Sequence, residues 1–331
     1  MSKLTRRDFI TSVSSVAALG AISPLAFPLT GLAAAPRTKV VIVATTDRKK
    51  GVAEIVRQLK VASPRGKSVV IKPNFNTADT APGSTHNDTL QQLITELWER
   101  DAKAVTIGER SGPPVTRKVM EDKGVFDLAR DLRASVVNFE ELADADWVMV
   151  NPAGTHWGPN ELVVPRLIAE SPYVVSTCCL KTHGSGGVFS MSLKLAVGMT
   201  PKKLMRGMHG DREHMRRRIA EINAGYKPQF IVMDSVEAFV DGGPSKGTRV
   251  AANLFVGGTD RVAVDAVGVA ILKELGSNAA IMEKKIFEQE QIQRGVELGL
   301  GIAGPEQIEI VAADAASREW AAKIKKRLAL G

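Results

Sequence analysis

Lys39-Val40-Val41-Ile42-Val43-Ala44, an amphipathic stretch from Gly51 to Lys60, and Ser68-Val69-Val70-Ile71 running into Lys72-Pro73-Asn74-Phe75 decide the fold. Both β-branched runs are apolar at successive positions instead of alternating with polar residues. Successive side chains of a strand point to opposite faces, so such a run must be covered on both. The stretch between them has the spacing of a helix with one apolar face. A strand, a helix and a second strand in that order describe a parallel pair joined by a crossover.

Further along the chain the pattern repeats. Thr89 to Arg100 reads as a helix with Asp88 or Asn87 as its N-cap. Ala104-Val105-Thr106-Ile107-Gly108 and Ser135-Val136-Val137-Asn138-Phe139 are further strands. Trp147-Val148-Met149-Val150 and Glu161-Leu162-Val163-Val164 suggest a β-rich insertion, and Tyr173-Val174-Val175-Ser176-Thr177 returns to the core. Residues 199–226 are basic and helix-favouring. Phe230-Ile231-Val232-Met233 is a strand ending at Asp234, Leu254-Phe255-Val256-Gly257 leads into a helix from Val262 to Leu275, and Gln307 to Val311 closes the sheet. The expected fold is α/β: a mainly parallel sheet with helices on both faces and a β-rich insertion in the middle. Residues 36–331 form one domain in this reading.

The N-terminus has a different character. Thr5-Arg6-Arg7-Asp8-Phe9-Ile10 precedes a weakly apolar run from Val13 to Ala35 that Gly20, Pro24, Pro28 and Gly31 interrupt. A twin arginine followed by an aromatic and such a run resembles a twin-arginine (Tat) export signal over residues 1–35. A spanning helix would need about 20 predominantly apolar residues, which the glycines and prolines break up. The small residues before Pro36 suit cleavage after Ala33 or Ala34. The expected partner is the Tat export machinery, and the destination is the periplasm or another extracytoplasmic space.

Composition is that of a globular protein, with 44% hydrophobic and 24% charged residues among 331. Lys3, Arg6, Arg7 and Asp8 contribute +2 of the formal +8, leaving +6 for residues 36–331. That modest basicity suits an anionic ligand or a solvated surface. Nucleic acid is not expected, because no binding module is legible and the chain has only two tyrosines. Cys178 and Cys179 are the only cysteines. Adjacent thiols seldom bond to each other, and two cannot complete a four-thiolate site, so no intrinsic iron–sulfur cluster is expected. They read as small buried residues at a strand end.

In open α/β sheets, ligands sit beyond the carboxyl ends of the strands. Those ends carry Lys72 and Asn74, then Glu109, Arg110 and Ser111, then Lys181, Thr182 and His183, then Asp234 and Ser235. Lysines gathered there would fix a phosphate or carboxylate. Residues 183–194, His183-Gly184-Ser185-Gly186-Gly187 through Lys194, form a glycine-rich loop entering a helix whose N-terminus could cradle an anion. It is neither a Walker loop nor a dinucleotide turn. His209 lies in His209-Gly210-Asp211-Arg212-Glu213-His214. Together His183, His209 and Asp234 could ligate a divalent metal ion, or could bind and protonate a ligand directly. His214 and Arg216-Arg217-Arg218 read as a solvated helix face, and His86 and His156 as loop residues.

Val70-Ile71-Lys72-Pro73-Asn74, Gly108-Glu109-Arg110-Ser111-Gly112, Leu180-Lys181-Thr182-His183 and Ser192-Leu193-Lys194 through Gly198 occur in order. They are followed by His209-Gly210, Asp234, Gly242-Gly243-Pro244 with Gly247, and Asp260-Arg261-Val262-Ala263-Val264-Asp265-Ala266. This ordered set resembles the domain of unknown function 362 family across roughly residues 40–312. Many members carry a ferredoxin-like segment or sit beside redox genes, which implies a redox link and a redox partner protein. This chain lacks the cysteines of that segment.

The expected site is one cleft lined by Lys72, Asn74, Lys181, His183, Lys194, His209 and Asp234, with Glu109 and Ser111 as further ligand contacts. Lys72, Lys181 and Lys194 hold an anionic small molecule or cofactor, His183 or His209 moves protons, and Asp234 orients a histidine or ligates a metal. His183, Lys181 and Asp234 are the expected catalytic group. A rival reading is a non-catalytic periplasmic protein that binds or delivers a metal or anion. A third is an imine enzyme in which Lys181 attacks a carbonyl.

Overall fold

Strand β1 (Thr38–Ala44) shows why its sequence is apolar throughout. Val40 and Ile42 pack into the core under helix Arg261–Glu274, while Val41 and Val43 pack under helix Arg48–Leu59. The structure, a computed structural model, describes residues 37–331; the twin-arginine stretch lies outside them. The other strands are β2 (Ser68–Lys72), β3 (Ala104–Glu109), β4 (Ser135–Asn138), β5 (Trp147–Met149), β6 (Val163–Pro165), β7 (Val174–His183), β8 (Val188–Phe189), β9 (Phe230–Gly242), β10 (Gly247–Gly258) and β11 (Ile308–Ala312).

The main sheet has the order β11-β1-β10-β9-β7-β2-β3-β4, with β8 paired to β7. β11, β1, β9, β7, β2, β3 and β4 all run one way; β10, antiparallel to both β1 and β9, and the short β8 run against them. The expected mainly parallel sheet is therefore present. The carboxyl ends of β2, β3, β7 and the first half of β9 emerge on one rim. β5 and β6 form the small separate antiparallel sheet that the middle of the sequence suggested. They close a third apolar cluster with helices Lys202–Gly210 and Met215–Ile222, including Trp157, Met208 and Ile219.

Helix starts follow their caps. Asp47 accepts the Lys50 N–H at 3.0 Å and begins helix Arg48–Leu59. Helix Asn87–Glu99 is capped by His86, whose Nδ1 accepts from Asp88 N, and not by Asn87 or Asp88 themselves. Asp260 caps helix Arg261–Glu274 through Ala263 N at 2.9 Å and also holds Ile302 N at 2.8 Å. Among the described residues no helix is long and apolar enough to cross a membrane.

Two strands run past their expected ends. β7 continues through Cys178 and Cys179 to His183, so the cysteines sit mid-strand, buried, as free thiols. Burial pushes the Cys179 thiol up to about 12 and that of Cys178 well above its usual range, which leaves both protonated and inert. β9 continues eight residues beyond Asp234, to Gly242. Its register against β7 slips between the Cys179–Asp234 and Lys181–Phe239 pairs, and its register against β10 slips near Asn253. These irregularities bend the outer half of the β9–β10 hairpin over the end of β7. There Thr182 Oγ1 donates to the Phe239 and Gly242 carbonyls, and Gly184 N donates to Gly243 O.

Candidate functional site

The rim of the sheet holds a cavity of about 510 Å³. Its floor comes from the strand ends and the loops leaving them: Lys72 ending β2 with Asn74 and Asn76 after it, Glu109 ending β3 with Arg110 after it, Lys181 and His183 at the end of β7. One wall is helix Ser192–Leu195 with its adjoining turn, which supplies Lys194 and Gly198. Another is helix Lys202–Gly210, which supplies Met205, Arg206 and His209; the hairpin tip adds Pro244 and Ser245. Thus Lys72, Asn74, Glu109, Lys181, His183, Lys194 and His209 come together.

Asp234 and Ser111 do not line it. Asp234 is buried on another side, where Arg48 Nε donates to Oδ2 at 2.9 Å, Thr89 Oγ1 to the same oxygen at 3.0 Å and Val236 N to Oδ1 at 3.1 Å. Its carboxylate is consumed in holding helices Arg48–Leu59 and Asn87–Glu99 to the sheet. It neither orients a histidine nor completes a metal set with His183 and His209. Among the described residues no group of three or more His, Cys, Asp or Glu side chains could hold a metal ion. The expected anion cradle at the start of helix Ser192–Leu195 is also taken. Asp265, buried, accepts from Ser192 N at 2.7 Å and Leu193 N at 2.9 Å. The protein fills that helix end with its own carboxylate.

The three lysines do different things. Lys72 is an ion-pair partner: its Nζ donates to Glu109 Oε1 at 2.5 Å and to Pro73 O at 2.8 Å. Glu109 also accepts from Phe75 N and Arg110 N, so the carboxylate ties the loop after β2 to that after β3. Burial drives the Lys72 ammonium down and the Glu109 carboxyl up, and each charge opposes the shift of the other. A Cβ on Gly198 would lie 2.6 Å from Glu109 Oε1 and 2.7 Å from Lys72 Nζ, so only glycine lets this turn approach the pair.

Lys181 Nζ donates to Asn74 Oδ1 at 2.8 Å, Gly83 O at 2.5 Å and Pro244 O at 3.1 Å. All three ammonium hydrogens are committed, and burial brings its pKa down to about 8. Lys194 is 9% exposed and makes no hydrogen bond within the described residues. Burial, with the nearby charges of Lys181 and Arg110, brings it down to about 7.

His183 and His209 face each other with ring centroids 5.8 Å apart. Gly187 N donates to His183 Nδ1 at 3.2 Å, which assigns the hydrogen of the neutral ring to Nε2. His209 Nδ1 sits 2.8 Å from the Met205 carbonyl, which can only accept, so the hydrogen is on Nδ1 and Nε2 keeps its lone pair. Burial and the adjacent Lys194 charge push both imidazoles below their usual range and keep them neutral at pH 7. The pair therefore offers one N–H donor and one basic nitrogen.

Arg110 serves the scaffold: it donates to Thr200 O and Ser111 O at 2.7 Å each and to Val197 O, holding the turn after Lys194. Arg206 at the cavity is exposed and escaped the sequence reading. Its spacing of three from His209 on one helix was the available signal. Asn76, Ser245 and Met205 gave no such signal, because the contacts that place them are long-range. Arg216, Arg217 and Arg218 lie elsewhere, paired with Glu290, Glu297 and Asp211.

A solved structure similar to this chain is the lactate racemase apoprotein from Thermoanaerobacterium thermosaccharolyticum. It shares 15% identity at a TM-score of 0.46, with 67% of this chain and 54% of that one covered. The chain thus spans about half of that protein's length. No curated protein matches the sequence. Residues 69–270, well over half of the chain, match the family described as Domain of unknown function (DUF362), and the chain belongs to that family.

Proposed function

We propose that this protein binds an anionic small molecule or anionic cofactor in the rim cavity and moves a proton on it with the His183–His209 pair. The observation that carries the reading is the charge balance of the lining. Glu109 is its only carboxylate and is already paired with Lys72, whereas Lys181, Lys194, Arg110 and Arg206 stand without a carboxylate hydrogen-bonded to them. Lys194 donates to no acceptor among the described residues, and an anion in the cavity would supply one. An anion reaching Lys194 would lie beside His183 Nε2–H as donor and His209 Nε2 as proton acceptor. The N-terminal resemblance supports a working site outside the cytoplasm, with the Tat machinery as a transient partner.

Calorimetry with small carboxylates and phosphate esters tests the reading, with product analysis by mass spectrometry. Binding should weaken with salt, and Lys194→Met should weaken it by roughly 10–100-fold, the equivalent of one charge-assisted hydrogen bond. Equal affinity in Lys194→Met, or a preference for neutral ligands, would overturn it. Release of the bound anion unchanged would favour the rival reading, a carrier without catalysis.

A further inference from the structure

Lys181 and Lys194 are equivalent as residue types, but the fold leaves only one with a usable lone pair. Lys181 would lose a hydrogen bond to Asn74, Gly83 or Pro244 on giving up a proton. Lys194 loses none. Its amine lines the cavity, and it has no acceptor to break from within the described residues. The loop after β7 brings it to the histidines: a Cβ on Gly187 would lie 2.8 Å from His183 Nδ1 and 2.9 Å from Lys194 Cε, so both side chains crowd one point. His209 faces His183 across 5.8 Å. An unpartnered amine, a basic nitrogen and an N–H donor thus line one cavity.

We propose that Lys194 is a nucleophile that forms an imine with the carbonyl carbon of an anionic aldehyde or 2-oxo acid bound in this cavity. The proposal rests on the anion-binding reading above and moves the nucleophile from Lys181, where the sequence suggested it, to Lys194. The Lys194 Nζ lone pair attacks the carbonyl carbon, and the C=O π pair moves to oxygen, which His183 Nε2–H holds by a hydrogen bond. His209 Nε2 takes a proton from the new ammonium centre and passes it to that oxygen, giving a carbinolamine. The nitrogen lone pair then expels the hydroxyl group, and the remaining nitrogen-bound proton follows through His209, so that water departs. Amine plus carbonyl gives imine plus water, with no net oxidation. The neutral amine that attack requires is the form burial favours at Lys194.

The test incubates the whole chain with glyoxylate and, separately, pyruvate in the presence of cyanoborohydride, then locates adducts by peptide mass spectrometry. Calorimetry with glycolate and lactate, which carry the carboxylate but no carbonyl, runs in parallel. The expected result is a reduced adduct on Lys194 at least ~10-fold above that on any other lysine, with its rate rising through about pH 7. Lys194→Arg should abolish the adduct. If glycolate or lactate binds but Lys194 stays unmodified, or if surface lysines or Lys181 react equally, the imine proposal falls and the anion site stands. If neither the oxo acids nor the hydroxy acids bind or react, both fall together.

Discussion

Glu109→Gln removes the one carboxylate of the cavity while changing shape by almost nothing. The Lys72 ammonium, 1% exposed, would keep Pro73 O at 2.8 Å but lose the charge at 2.5 Å. The new amide NH2 must also confront a donor, since one Glu109 oxygen accepts from Lys72 and Arg110 N and the other from Phe75 N. Breaking one partner out of a buried pair costs about 3–5 kcal/mol, because the remaining charge is left uncompensated. For a domain of about 300 residues the unfolding entropy is roughly 0.6 kcal/mol per kelvin, so Tm should fall by about 5–8 °C. Circular dichroism melts and urea titrations with an unchanged m value would measure it. The companion Lys72→Met/Glu109→Gln double variant should recover part of the loss, because no uncompensated ammonium remains and the amide oxygen still accepts a backbone N–H. A single variant within ~1 kcal/mol of wild type would refute the reasoning, as would strictly additive effects of the two positions.

The buried Lys194 should leave a signature in stability against pH. Its folded pKa, about 7, lies below the ordinary 10.5, so between these values the unfolded chain holds a proton that the native one has lost, and native stability rises with pH. Below about 7 the destabilisation is present in full, and Lys194→Met should remove it; the stability gap between variant and wild type should close from pH 7 to 10.5. A gap constant across that window would contradict the burial of this amine. Asp234→Asn should destabilise by roughly 1–3 kcal/mol through the lost pairing with Arg48, yet leave anion affinity within about twofold. Loss of anion binding in a folded Asp234→Asn protein would show that the carboxylate does reach the site. Replacing both Arg6 and Arg7 by lysine should leave precursor in the cytoplasm, as fractionation would reveal, and normal export of that variant would end the Tat reading.

Local sequence carried the architecture because a parallel sheet covered on both faces admits only apolar runs, and those runs alternate with helical spacing. It also carried much of the cavity lining. Lys72, Asn74, Glu109, Lys181 and His183 follow apolar runs, and parallel strands deliver their ends to one rim. Where strands continue was not legible. Asp234-Ser235 reads as an end because a carboxylate interrupts an apolar run, but Arg48, 186 positions away, satisfies it and β9 goes on. The start of helix Ser192–Leu195 looks open to an anion until Asp265, 73 positions away, closes it. Lysine side chains carry the same three donors wherever they occur. Which of them keep those donors depended on acceptors at Gly83 and Pro244 reaching Lys181 and, among the described residues, none reaching Lys194. Hydrogen-bond partners this distant along the chain are set by how the loops pack, so only the tertiary structure decides which amine is left without an acceptor among the described residues.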